Sequence, residues 1–103
     1  MGQLDPPVPI VAHWDFFPTT RIVVTFNHAL QPGAIDHTNW AANFGFTAYS
    51  GSAASALGST VTCNMQNIGV GVPSNFCSYS PPPFDVKTPH GTPAAAFSGF
   101  PIT

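Results

Sequence analysis

The chain has 103 residues, of which 44% are hydrophobic and 6% charged, and its formal net charge is −2. Arg21 and Lys87 are its only cations, which excludes phosphate neutralisation as a source of nucleic-acid affinity and attraction to anionic membrane surfaces. High hydrophobicity with little charge excludes disorder, and the length suits one domain able to bury roughly 60–65% of its unfolded surface.

The balance of residue types favours strands. There are three leucines and no glutamate against nine phenylalanines and eight valines, so helix formers are scarce and β-favouring residues abundant. Twelve prolines and nine glycines are spread along the chain as punctuation between short elements. The opening "GQLDPPVPI" carries neither a basic segment nor an apolar core, so no signal peptide is expected, and the chain reads as made in the cytoplasm. No apolar run approaches the roughly 18–20 residues of a transmembrane helix.

In chain order, residues 1–7 read as an extended, proline-rich arm, and residues 8–103 as one β domain. Pro6, Pro7 and Pro9 cannot donate to a central ladder, so "VPIVAHW" (Val8 to Trp14) is a first strand at an edge. Trp14, Phe16 and Phe17 form an aromatic cluster too dense for alternation to bury completely, which leaves at least one ring for an interface. "RIVVTFN" (Arg21 to Asn27) is the clearest strand, with Ile22, Val24 and Phe26 on one face.

"HALQPGAIDHTNW" then offers His28, Asp36 and His37 as metal ligands or catalytic groups. Metal sites need three or four ligands with an ordered second shell, and no ligand motif is present. The structural reading uses more of the residues: Pro32-Gly33 makes a turn, and Asp36 caps one helical turn while Ile35 and Trp40 face the core.

"NFGFTAYS" (Asn43 to Ser50) reads as one strand and "GSAASALGS" (Gly51 to Ser59) as a turn-like segment with room for one helical turn. "TVTCNMQ" (Thr60 to Gln66) places Val61, Cys63 and Met65 on one face, and "NFCSYS" (Asn75 to Ser80) does the same for Cys77 and Tyr79. If both faces point inward, the two thiols lie close in the core. Free thiols are expected in a reducing compartment, with a disulfide as the alternative under oxidising conditions. "SPPPF" (Ser80 to Phe84) ends an edge or docks on a partner, "PHG" (Pro89 to Gly91) is a turn carrying His90, and "AAAFSGFPIT" is a last strand interrupted near Gly99 and Pro101. Short strands at this spacing predict an all-β sandwich or barrel of about seven strands.

Two motifs carry a resemblance. "VTFNHALQPGAIDHTNW" is similar to the pattern of a strand ending VTF, a polar step, then L-x-PG-x-[IL]-D-x-x-N-[WF] in bacterial Ig-like domains of S-layer and surface proteins. "CSYSPPPFDVKTPHGTPAAAFSGFPIT" resembles the ending of the same modules, and together the two cover roughly residues 8 to 103. The resemblance implies an Ig-like β-sandwich, its motifs being structural and bearing on fold more than on function. This chain departs from that pattern in being shorter between its two halves, almost uncharged and unrepeated; comparable single modules occur as small virion proteins of tailed phages.

The resulting expectation is a capsid decoration protein of a virion, synthesised in the host cytoplasm, that binds the major capsid protein or other virion proteins and can form a homo-oligomer. Its docking residues would be Asp5, Pro6, Pro7, Pro9, Trp14, Phe16 and Phe17, and no cofactor, metal, nucleic acid or membrane is expected. The alternative is a cell-surface adhesion or carbohydrate-binding module of a secreted protein, marked by an exposed aromatic platform. Hydrolytic catalysis is disfavoured: His13, His28, His37 and His90 are scattered, no G-x-S-x-G elbow occurs, and a two-carboxylate site would have only Asp5, Asp15, Asp36 and Asp85 to draw on.

Overall fold

The computed structural model describes residues 6–15, 21–44, 47–65, 75–81 and 85–102. Among them are eight strands: β1 (Pro9–Asp15), β2 (Arg21–Phe26), β3 (Gly33–Ile35), β4 (Trp40–Phe44), β5 (Thr47–Leu57), β6 (Thr60–Met65), β7 (Asn75–Tyr79) and β8 (Phe97–Ile102), with a 3₁₀ turn at His37–Asn39. The strands form two layers, all pairs antiparallel. The larger runs β1-β2-β6-β5, with β3 beside β5, and the smaller runs β4-β7-β8.

The two layers share β5. Its first residues pair with β4, from Thr47 opposite Phe44 to Ser50 opposite Ala41. Its later residues pair with β6, and the register shifts between Gly51 and Ala53 where the strand turns from one layer into the other. A bulge of this kind bends a strand and raises its twist, so β5 folds the sheet over on itself. At the opposite side β8 comes up against β1.

Period-two alternation accounts for the core. Ile22, Val24 and Phe26 of β2 are buried, as are Val61, Cys63 and Met65 of β6, and the register sets Val24 opposite Val61 and Ile22 opposite Cys63. From the smaller layer come Trp40, Ala42, Cys77, Tyr79 and Ile102. Phe97 ties the layers together. Its ring lies 5.9 Å from that of Trp40 and 6.0 Å from that of Tyr79 in its own layer, and 6.4 Å from that of Phe26 in the other. Edge-on and tilted ring pairs at such separations add stabilisation beyond the area they bury.

The structure corrects the sequence reading in two places. Residues 51–59 are not a turn, because Gly51–Leu57 form the second half of β5, and only Gly58 and Ser59 make the reversal into β6. Small residues have weak strand propensity, but pairing with β6 on one side and with β3 and β4 on the other overrides it. The single strand expected over 43–50 is instead the end of β4 and the start of β5, antiparallel neighbours with Phe44 opposite Thr47. Residues 45–46 lie outside the described residues, and so does the expected alternation through Phe46.

Candidate partner-binding edge

The sequence placed docking on the arm and the aromatics after it. Asp5, Phe16 and Phe17 lie outside the described residues. Pro6 is exposed, Pro9 is half-buried, and Trp14 is half-buried against the core. Pro7 is among the fully buried side chains, so it anchors the arm and Pro6 is left facing solvent.

A reciprocal clamp fixes the chain entering β1. The Val8 N–H donates to Asn27 Oδ1 at 2.9 Å, and the Asn27 N–H donates to the Val8 carbonyl at 3.0 Å. β1 ends the strand order, and its pairing with β2 shifts register between Pro9 and Val11. Ile10 is the extra residue of that bulge. Extra residues bend a strand and re-aim side chains, and here the outcome is a solvent-facing apolar set: Val8 is 49% exposed, Ile10 59% and Val11 43%.

The far end of β1 is polar. Arg21 donates from Nε at 3.0 Å and from one terminal nitrogen at 2.7 Å to Asp15 Oδ2, which neutralises one of the two cations locally. The Val8–Val11 end carries no charged side chain. Isolated exposed apolar residues are ordinary, but three within four positions on an edge strand form a patch that other surfaces can cover. The sequence did not single out Val8, Ile10 and Val11, although they stand between Pro7 and Trp14, both of which were named. Alternation assigns every second residue of such a run to the core, and the bulge at Ile10 breaks that alternation.

The stretch around Asp36 is a corner. Asp36 caps the 3₁₀ turn, its Oδ1 accepting from the Thr38 N–H at 2.9 Å and from the Thr38 hydroxyl. These hydrogen bonds hold its carboxyl below the usual carboxylate range, the hydroxyl bond contributing most. His37 Nδ1 lies 3.0 Å from the Gly51 carbonyl, and the Asp36 N–H donates to Asp85 Oδ2 at 2.6 Å. Ile35 packs on the core and Trp40 is buried. Among the described residues no three His, Cys, Asp or Glu side chains gather as a metal site. His90 sits exposed in the turn closed by the Gly91 N–H donating to the Thr88 carbonyl at 2.8 Å.

A shallow groove crosses the outer face of the smaller layer, lined by Phe76, Cys77, Ser78, Ser98 and Gly99. Phe76 is 41% exposed there. No helix among the described residues is long and apolar enough to cross a membrane. Comparison of the chain with protein-family models, with curated proteins and with solved structures finds no match.

Proposed function

We propose that this chain is a non-enzymatic structural module, an Ig-like sandwich that docks on a larger protein assembly through β1, as a decoration protein does on a capsid lattice. The carrying observation is the uncharged apolar patch of Val8, Ile10 and Val11 at the clamped start of an edge strand. A surface with few charges can be covered with little desolvation cost, and a rigid backbone beneath it loses little entropy on binding. The strand order supports the Ig-like reading. Runs β1-β2-β6-β5 and β4-β7-β8 correspond to the ABED and CFG arrangement of constant-type Ig sandwiches, and Trp40 occupies the strand that carries the buried tryptophan of those domains.

Mass spectrometry of virions from the source tests the reading. Copies comparable in number to the major capsid protein are expected, and absence from any particle overturns it. The variant Ile10→Asp, added to particles stripped of the protein, is expected to bind at least tenfold more weakly than wild type.

The exposed Phe76 favours a second reading, as a carbohydrate-binding surface module. An aromatic face stacks on a sugar ring while nearby hydroxyls such as those of Ser78 and Ser98 bond its hydroxyls. Retention on immobilised polysaccharide that Phe76→Ala abolishes and Ile10→Asp leaves intact would select this reading over the first.

A further inference from the structure

The two cysteines are placed where the layers meet. Cys63 faces inward from β6 of the larger layer and Cys77 inward from β7 of the smaller, and both are buried. Cys63 packs at the bend of β5: a Cβ built on Gly51 would stand 2.5 Å from Cys63 Sγ, so the sulfur fills the space that a side chain would take. Two residues earlier on β5, Tyr49 pairs with Ala42, and Ala42 pairs on its other side with Cys77. Gly51 beside Cys63 and the buried Ala42 beside Cys77 are thus small residues where the sheet folds over, and both cysteines belong to one buried core cluster.

We propose that Cys63 and Cys77 close a disulfide between the two layers when the chain folds in the presence of a disulfide oxidant, giving the module a covalently stapled form. The proposal stands whichever partner the β1 edge takes. In the first step one cysteine, as thiolate, attacks a sulfur of a small-molecule disulfide. The S–S bond of the oxidant breaks, one thiol is released with the proton that the cysteine gave up, and a mixed disulfide remains. The second cysteine then attacks the protein sulfur of that mixed disulfide, forming the Cys63–Cys77 bond and releasing a second thiol. Two protein thiols are oxidised and one oxidant disulfide is reduced to two thiols.

Timing follows from the surroundings. Burial pushes both thiols up to about 12, and the proximity of Cys77 adds to the rise at Cys63. Because only thiolates attack, the folded, reduced protein exchanges slowly, and the bond forms while the chain folds or while the β5 corner is open. The sulfurs thus hold one of two stable forms, set by the redox conditions at folding.

The test uses the wild-type chain, unfolded and reduced, then refolded with glutathione disulfide and with reduced glutathione in parallel. The oxidised sample is expected to be a monomer lighter by two hydrogens, yielding a cross-linked peptide with Cys63 and Cys77. Its thermal midpoint should lie roughly 10 °C or more above that of the reduced sample. Free thiols persisting in the folded oxidised sample, glutathione adducts, or dimers linked between chains would each overturn the proposal. So would an intramolecular bond that lowers the midpoint. The Cys77→Ser variant, carried through the same steps, should show no loss of hydrogens.

Discussion

At the scale of single residues, Gly51 is the most crowded of the described glycines. A Cβ there meets Cys63 Sγ at 2.5 Å and the His37 carbonyl at 3.1 Å, so Gly51→Ala forces either the thiol or the capped turn to move. Overpacking of this kind costs about 1–3 kcal/mol, to be read from denaturant unfolding. Adding Cys63→Ala should recover part of the loss, since it removes the sulfur but leaves the carbonyl. The cysteines also predict a pH dependence. Their folded values, about 12, lie above the roughly 8.5 of a free thiol, so the folded state holds protons that the unfolded state releases. Burial raises Tyr79 in the same direction. The stability the two thiols contribute is complete below pH 8, declines as pH rises from about 9, and is lost near 12. Thermal unfolding scanned from pH 7 to 10.5 should show the decline, with a shallower slope in Cys63→Ala.

At the scale of elements, Phe97 on β8 bridges the two layers, and Phe97→Ala should destabilise by roughly 3 kcal/mol, measured by chemical denaturation. Strands whose alternation decides burial were legible: the inward sets of β2, β6 and β7 follow directly from "RIVVTF", "TVTCNM" and "NFCSY". The capped turn at Asp36 was equally legible, because an aspartate two positions before a backbone N–H it can accept from is a local event. β5 was not. "GSAASAL" lacks both bulk and propensity, and only its neighbours in space make it a strand. The three-residue β3 went unread for the same reason.

At the scale of the whole molecule, low net charge and an apolar edge act together. A formal charge of −2 gives little repulsion between copies, and the Val8–Val11 patch gives them something to bury. The free protein should therefore self-associate as concentration rises. Ile10→Lys should shift sedimentation toward the monomer, with stability changed by no more than about 0.5 kcal/mol because the side chain is mostly exposed. A monomeric wild type at millimolar concentration would rule this out.

The sequence by itself determined the strand-rich class, the inward faces of its clearest strands and the corner around Asp36, all of which depend on residues near one another in the chain. The tertiary structure decided the rest: that β5 crosses between layers, that Gly51 makes room for a sulfur, that Pro7 is buried, and that Ile10 stands out as exposed on the described part of β1. Those outcomes depend on register and on a bulge, and a shift of one residue in register exchanges the two faces of a strand. Local pattern says which residues alternate; only pairing with distant strands says where the alternation breaks.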